Sequence, residues 1–512
     1  MPETLRRAAG WLAVAGAAIL SAACIWRLAW LADADLVTQV ADDTFYYLVL
    51  ARNMAASGQL TFDGINTATG VHPAWLTAMT LLSAAGLDGM AFVRGAIAAG
   101  FLCHLAAGAL VIAIVREAGA PRRAPWVGAL WLANPVSLLL VIEGMEAPLF
   151  VAVLAGTVLV VQRMFAAPEI TARSAIGASA ALGLLCLVRT DGAMLAAMCG
   201  VVVAAVLRRR GQSWRRVATM VALLGAGPVL ALGAFAAFLY AQTGFATQSS
   251  GDLKMFWGSH VTASVKLAYA YHVFGRLTFG SFGSSMFGLP TKVSAIAGAI
   301  ALAAVAASAV RRWRAGETIA PAIAIWLLLA ATLATASYAL ITYEYRTWYL
   351  GLPMLAMFLA LVLEAARRPP AVFVTICVLA LAAMGFQDMR LAGTRTGRYP
   401  YARAIYLSVP LFDALTPPDE PIASFDAGVR GFFARHRVIN LDGLVNDTIR
   451  RHWKAGTLDQ YIKDEGIRFI ADEPASLAFA RRFSRFPEAR AIACVPATGT
   501  PFADRCLWQI VD

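Results

Sequence analysis

Residues 217–240 read VATMVALLGAGPVLALGAFAAFLY, an apolar stretch without a charged side chain. Arginines precede it at positions 208–210 and 215–216. A helix rises about 1.5 Å per residue, and about 20 apolar residues cross the hydrocarbon core of a bilayer. Clustered arginines beside an apolar run mark its cytoplasmic end. The stretch therefore predicts a transmembrane helix that leaves the cytoplasm near Val217.

Comparable apolar runs recur through residues 1–386, and the composition agrees with them. Of the 512 residues, 59% are hydrophobic and 14% are charged, whereas soluble domains have about 25% charged residues. We therefore expect an α-helical polytopic membrane protein with about 11 transmembrane helices. The predicted spans are 9–31, 91–115, 125–142, 147–162, 174–188, 192–207, 217–240, 292–310, 318–341, 348–364 and 371–386.

The net charge of +12 does not indicate nucleic-acid binding, because many of the basic residues are clustered at the ends of apolar runs. Every predicted inner loop carries at least one arginine, and within residues 1–386 all the doublets and triplets lie on one side. By the positive-inside rule this side is cytoplasmic. The N-terminus is then cytoplasmic, and the first outer loop (about 33–90) lies on the opposite side.

Residues 387–512 differ in composition and predict a small α/β domain on the outer face. Short β-like runs occur at 467–471 and 491–495, amphipathic stretches at 447–453 and 477–483. Cys494 and Cys506 lie in this polar segment and would form a disulfide in an oxidising compartment, whereas the other five cysteines lie inside apolar spans.

The first outer loop carries an adjacent acid pair, Asp42-Asp43, close to the end of the first span. The pair begins a predicted amphipathic helix, where an aspartate can simply cap the helix. One cap does not need two acids. The functional interpretation is that one carboxylate is a general base that deprotonates an acceptor hydroxyl at the membrane surface, while its neighbour supports it. The apolar segment 72–87 is too short for a span and predicts an interfacial or re-entrant helix.

This loop resembles the first-loop motif of the GT-C superfamily of polyprenyl-phosphate-sugar-dependent membrane glycosyltransferases. The resemblance rests on the acid pair, a following aromatic and Ala51-Arg52 on the same helix, and it extends to 58–64 and 70–75. Segments 144–150 and 189–192 are similar to outer-face motifs of bacterial members. The superfamily includes aminoarabinose, protein O-mannosyl and mycobacterial arabinofuranosyl transferases.

The resemblance implies a helical bundle whose active site lies where the first loop meets the bilayer. The family's loop acid corresponds to Asp42, with Asp43 as the nearest alternative. In a bacterium the protein would lie in the inner membrane, with its active site and residues 387–512 on the periplasmic side. Tyr46 and Arg52, on the same helix, would support the loop.

Further candidates lie at the predicted outer ends of the spans. Glu146 either caps its helix at the membrane interface or is a second catalytic acid that supports the base or binds the acceptor hydroxyl. Arg189 either pairs with Asp191 or binds the lipid phosphate. His72 is either a proton shuttle or a structural hydrogen-bonding group. Arg346 lies on the outer side against the positive-inside trend, which favours phosphate binding. The remaining candidates for binding the donor's phosphate and sugar are Lys254, His260, His272, Tyr343 and Glu344.

We therefore expect a glycosyltransferase that uses a polyprenyl-phosphate sugar, arabinofuranose-like by resemblance or a hexose. The acceptor would be a glycan, a lipid or a protein, and no nucleic acid is involved. No cofactor is indicated, and a divalent cation held by Asp42, Asp43 and Glu146 stays open. The alternative is a transporter or flippase of lipid-linked saccharides, which would place polar residues and broken helices in mid-span.

Overall fold

The computed structural model describes residues 3–266, 290–342, 346–367, 369–497 and 504–511. Long helices of a membrane bundle are followed by a small α/β domain, which confirms the predicted fold class. Within the described residues, nine helices are long and apolar enough to cross a membrane. Their bounds are Glu3–Ala29, Gly89–Glu117, Ala147–Ala166, Gly192–Arg209, Trp214–Thr243, Thr291–Arg314, Ile319–Ser337 with the π-turn Tyr338–Thr342, the 3-10 turn Thr347–Leu350 with Gly351–Ala365, and Pro370–Gly393.

The other two predicted spans have helices that differ from a straight crossing. Residues 125–142 form a pair, Ala124–Leu132 and Pro135–Ile142, bent by 46°. Pro135 has no N–H to donate and the Asn134 side chain accepts from the N–H groups of Val136 and Ser137, so a new helix begins here. The pair raises the count to ten if it is one span. Residues 174–188 lie in the helix Ala172–Val188, which has 17 residues and is therefore shorter than the nine helices that are long enough to span a membrane.

The first loop holds three helices, Asp33–Leu36, Asp42–Ser57 and Pro73–Ala84. We call Asp42–Ser57 the loop helix. Pro73–Ala84 corresponds to the predicted short apolar segment and has 12 residues. The prediction that the loop helix is amphipathic is wrong, because every residue from Thr44 to Ala51 is buried. The bundle covers one side of it and the C-terminal domain covers the other, where the Phe45 ring contacts Phe432 and Phe433.

The C-terminal domain contains a five-stranded sheet made of β1 (Ile422–Ser424), β2 (Val438–Asn440), β3 (Phe469–Asp472), β4 (Ala489–Val495) and β5 (Arg505–Ile510). The strand order is β2-β1-β3-β5-β4. β1 is parallel to β2 and β3, whereas β5 is antiparallel to β3 and β4. The Cys494–Cys506 disulfide joins β4 to β5, as predicted. The helices of the domain are Tyr401–Leu415, Gly428–Phe433, Ile449–Ala455, Leu458–Asp464 and Pro474–Phe483.

Buried polar contacts fix the domain to the first loop and to the helix Ser249–Ser259. The Asp447 carboxylate accepts hydrogen bonds from the N–H and the hydroxyl of Thr69 at 2.7 Å. The Arg450 side chain is fully buried and donates to Asp252 at 2.6 Å. The first loop, this helix and the C-terminal domain therefore lie on the same side of the bundle.

Candidate active site

The Asp42 carboxylate lies at the junction between the loop helix and the C-terminal domain. Its Oδ2 atom accepts a hydrogen bond from the N–H of Gly428 at 3.0 Å, and Oδ1 accepts one from Val429 at 2.8 Å. The residue that caps the loop helix is Ala41, and it makes no side-chain capping bond. The alternative that Asp42 only caps its own helix is therefore wrong. Asp42 binds the first turn of Gly428–Phe433 instead.

This contact requires a glycine at position 428. A Cβ atom there would lie 2.2 Å from the backbone oxygen of Asp42 and 2.8 Å from its carboxyl carbon. Both are well inside van der Waals contact, and one of the two is backbone that cannot rotate away. The absence of a side chain lets the N–H groups reach the carboxylate.

Further acids surround Asp42. The Tyr46 hydroxyl lies 3.2 Å from the Phe425 carbonyl and 3.3 Å from Asp442 Oδ2, and it is 3.3 Å from the N–H of Ala427. Asp426 adjoins Ala427, and Asp43 is half-buried beside Asp42. Four carboxyl groups thus face one region, two from the loop helix and two from the C-terminal domain.

Burial in this acidic region changes the proton affinity of these groups. Burial raises the pKa of Asp42, and the negative charge of Asp426 raises it further, whereas the amide bond from Val429 lowers it. Burial also raises the pKa of Asp426, with Asp472 adding to the rise and Arg505 opposing it. Burial likewise raises the pKa of Asp442. A carboxylate that holds protons at higher pH than usual is a stronger base.

Tyr401 lies where this acidic region meets a cation of the bundle. Its pKa is raised by burial, then by Asp426 and Asp42, and is lowered by Arg346. Arg346 stands immediately before the turn Thr347–Leu350, with its guanidinium 5.8 Å from the centre of the Trp348 ring. The fold therefore brings Arg346 into the electrostatic neighbourhood of the Asp42-Asp43 pair.

A second polar group is built around Arg189, which is 4% exposed. Its guanidinium donates to Glu146, and to Asp191 at 2.7 Å. Asp191 also accepts from the Tyr338 hydroxyl. The guanidinium lies 5.4 Å from the centre of the Tyr349 ring. Of the two alternatives for Arg189, pairing with Asp191 is thus present, and Glu146 is a second partner.

His72 and Lys254 adjoin this second group. The Nε2 atom of His72 is 3.9 Å from Glu146, and Lys254 Nζ lies 3.3 Å from the Tyr349 hydroxyl. Burial lowers the pKa of His72, whereas the Glu146 carboxylate raises it. Tyr47 accepts from the His72 N–H at 3.0 Å. Tyr46 and Tyr47 therefore point from one helix into two different polar groups.

Comparisons with known proteins show which known folds this chain is similar to. A family model described as "Domain of unknown function (DUF8728)" matches residues 397–503. No curated protein sequence matches the chain. ArnT from Cupriavidus metallidurans bound to undecaprenyl phosphate is similar, with a TM-score of 0.61 and 14% identity over 98% of both chains. The Archaeoglobus fulgidus oligosaccharyltransferase in complex with Zn and sulfate gives a TM-score of 0.56 and 14% identity, over 92% of this chain and 70% of that chain.

Both of these proteins are GT-C superfamily members. The chain has a GT-C fold. Its similarity to ArnT includes the C-terminal domain, because 98% of each chain is covered. The predicted resemblance is therefore confirmed at the level of the fold.

Several predicted site residues lie elsewhere in this GT-C fold or cannot be located. The Arg52 guanidinium lies 5.6 Å from the centre of the Phe432 ring, near the far end of the loop helix. The His260 imidazole is exposed, binds the Phe256 carbonyl and contacts the Phe483 ring. His272, Tyr343 and Glu344 lie outside the described residues.

The structure does not bring Asp42, Asp43 and Glu146 together as metal ligands. Within the described parts of the chain, no group of three His, Cys, Asp or Glu side chains could hold a metal ion. Asp42 is bound by two backbone N–H groups and Glu146 by Arg189. The hypothesis that these three acids share a divalent cation is therefore wrong.

Three residues that the fold places in or beside the site, Asp426, Asp442 and Glu143, were not among the predicted site residues. Asp426 and Asp442 follow β1 and β2, so they lie at the carboxyl edge of the parallel part of the sheet. Ligand-contacting groups collect at this edge in α/β folds. An acid two residues after each short strand was a usable signal. Glu143 is fully buried and accepts from Tyr399 at 2.9 Å, a contact between distant segments that no local pattern reveals.

Proposed function

We propose that this protein is a glycosyltransferase. It would move a sugar from a polyprenyl phosphate to an acceptor hydroxyl, on the side of the membrane that carries the C-terminal domain. The observation that carries the proposal is the buried Asp42 carboxylate, held by the N–H groups of Gly428 and Val429 inside a GT-C fold. ArnT, with which the chain shares this fold, has been crystallised with undecaprenyl phosphate.

The proposed reaction needs one base and a site for a phosphate. The base takes the proton of the acceptor hydroxyl, and the acceptor oxygen forms a bond to the anomeric carbon of the sugar. The bond between that carbon and the phosphate oxygen breaks, and the lipid phosphate leaves with the electron pair. Cations near the phosphate stabilise the charge that develops there. Arg346, Lys254 and Arg189 are the proposed cations.

Asp42 is our first candidate for the base, and Asp43 is the alternative. Burial raises the pKa of Asp42, which brings it closer to the range in which a general base works best. The two N–H donors also hold its oxygens in one orientation. Asp43 is less buried and would be more accessible to an acceptor. Glu146 would act through Arg189, which it binds directly.

We extend this proposal to the donor sugar, the acceptor and the membrane in which the protein lies. The donor sugar would be an arabinofuranose-like pentose or a hexose, and the acceptor a glycan, a lipid or a protein of the cell envelope. The membrane would be a bacterial inner membrane, with a cytoplasmic N-terminus. The contacts between the first loop and the C-terminal domain support a shared outer location for both.

The direct test is transfer by the purified protein in lipid nanodiscs. Radiolabelled polyprenyl-phosphate pentoses and hexoses would be supplied singly, together with cell-envelope extracts as acceptor. We expect label to move to an acceptor with one donor class, and Asp42→Asn to abolish most of the transfer. Movement of intact lipid-linked sugar across liposomes, without transfer from any donor, would favour the transporter alternative instead.

A further inference from the structure

Arg505 lies at the first position of β5 and its side chain is 2% exposed. Its Nη1 atom is 2.9 Å from Asp426 and 3.1 Å from Asp472. Nη2 lies 3.6 Å from Glu473, and the guanidinium is 5.2 Å from the centre of the Tyr401 ring. A fully desolvated arginine with three acidic neighbours is costly to bury unless the geometry compensates for lost hydration.

One of these acids, Asp472, also holds the backbone that leads to the Asp42 contact. Asp472 Oδ2 accepts hydrogen bonds from the N–H groups of Phe425 and Asp426, at 2.7 and 3.1 Å. Gly428 and Val429, which donate to Asp42, follow within three residues. Arg505 thus binds the side chain of Asp426, while Asp472 fixes the main chain beside it. The disulfide of Cys506, the next residue, ties this end of β5 to β4.

Several other charged groups influence the proton affinity of Asp42 and Asp426. Asp42 is influenced by Asp43 on its own helix and by Asp426. Burial lowers the pKa of Arg430, and the charge of Asp42 in turn raises it. Burial raises the pKa of Tyr401, the charges of Asp426, Asp42 and Asp43 raise it further, and that of Arg346 lowers it. Burial raises the pKa of the Tyr46 hydroxyl, and the Asp442 carboxylate beside it raises that pKa further. Asp426 faces Asp472 and Glu473 as well as Arg505. Arg505 is the cation in direct contact with Asp426 in this set.

We propose that Arg505 is a positioning residue of the transfer reaction, which neutralises Asp426 and thereby controls the negative charge next to Asp42. The inference rests on the proposed function, because it concerns the base of that reaction. Without Arg505, Asp426 and Asp42 would compete for the same proton as an uncompensated acid pair. More of the base would then be protonated at any given pH.

The test is the pH profile of kcat/KM for three variants of the full-length protein in nanodiscs. Transfer needs the deprotonated base, so kcat/KM rises with pH through the titration of the pair. Arg505→Gln should move this acid limb upward, by about 0.5–1 pH unit. Asp426→Asn removes a negative charge and should move the limb downward. The double variant should lie between the two, because the missing charges then offset each other.

Two controls separate this role from simple support of the fold. Arg505→Lys keeps the charge and should retain most of the wild-type profile. Arg468→Gln removes an exposed arginine of the same domain, paired with Glu420 at 2.8 Å, and should leave the profile unchanged. If Arg505→Gln lowered kcat/KM equally at every pH, or shifted nothing, the inference would be wrong. A wild-type protein without transfer activity would contradict the proposed function itself.

Discussion

The Oδ2 atom of Asp42 accepts a hydrogen bond of 3.0 Å from the backbone N–H of Gly428, which lies 386 residues further along the chain. The bond joins the start of the loop helix to the start of a helix in the C-terminal domain. Two parts of the protein that are separated in sequence by most of the membrane bundle thus complete one site. Changes at either residue should affect both the docking of the domain and the proposed chemistry.

Replacing Asp42 with Asn should lower turnover by about 10²–10⁴-fold, because the amide cannot accept a proton. The structure adds a cost in stability. Asp42 accepts through both oxygens, and Asn offers one oxygen and one NH₂ group that would face an N–H donor. One bond is lost, at about 1–3 kcal/mol. Transfer assays and thermal unfolding of the same preparations would measure the two effects.

Asp43→Asn is the matched variant for Asp42→Asn. If Asp42 is the base, the Asp43 variant should lose less activity and should retain the contact with Gly428 and Val429. A larger loss of activity in Asp43→Asn would assign the base to Asp43. Near-normal transfer in both well-folded variants would exclude a base in this pair.

Gly428→Ala should disrupt the junction, because its Cβ would lie 2.2 Å from the Asp42 backbone oxygen. We expect transfer activity to fall more than tenfold and the C-terminal domain to become more sensitive to protease. Gly251→Ala is the control, since a Cβ at Gly251 meets no atom within 4 Å. The helix Ser249–Ser259 should tolerate alanine at no cost. Equal behaviour of the two variants would contradict the steric argument.

The Cys494–Cys506 disulfide should stabilise the C-terminal domain by about 3 kcal/mol, the value for a short closed loop. The expected readout is a lower unfolding temperature of the Cys494→Ser/Cys506→Ser variant. Alkylation of the unreduced, denatured protein should label five of the seven cysteines, because all except Cys494 and Cys506 are free thiols in the structure. Labelling of all seven would contradict the bond.

Arg346 and Arg189 should respond differently to substitution by alanine. Arg346→Ala should weaken binding of the lipid donor by about 1.5–3 kcal/mol, the contribution of a charge-assisted hydrogen bond. Arg189 is 4% exposed and pairs with Glu146 and Asp191, so its loss leaves two buried acids uncompensated. Arg189→Ala should cost about 3–5 kcal/mol of stability. Binding of a fluorescent polyprenyl phosphate and thermal unfolding would distinguish the two. An unchanged affinity in Arg346→Ala would remove Arg346 from the donor site.

The candidate site illustrates what sequence patterns can and cannot locate. Asp42, Asp43, Glu146 and Arg346 could be selected because charged residues are conspicuous at the ends of apolar runs. The residues that the fold adds around them could not, because Gly428, Tyr399 and Arg505 look like ordinary residues of a small soluble domain. The loop helix was expected to expose one face, yet Thr44 to Ala51 are all buried. A polar residue such as Thr44 is buried here because its hydroxyl donates to the Glu143 carbonyl at 2.6 Å, a long-range contact.

The sequence by itself determined the membrane bundle and the α/β character of its last segment. Apolar runs of bilayer length and arginines at their ends act locally, through the cost of placing backbone and charge in lipid. Only the tertiary structure decided that Asp42 binds a distant helix, and that Asp426 and Arg505 lie beside it. These contacts depend on how the C-terminal domain docks on the first loop. Docking is a sum of many weak, long-range contacts that no single stretch of sequence encodes.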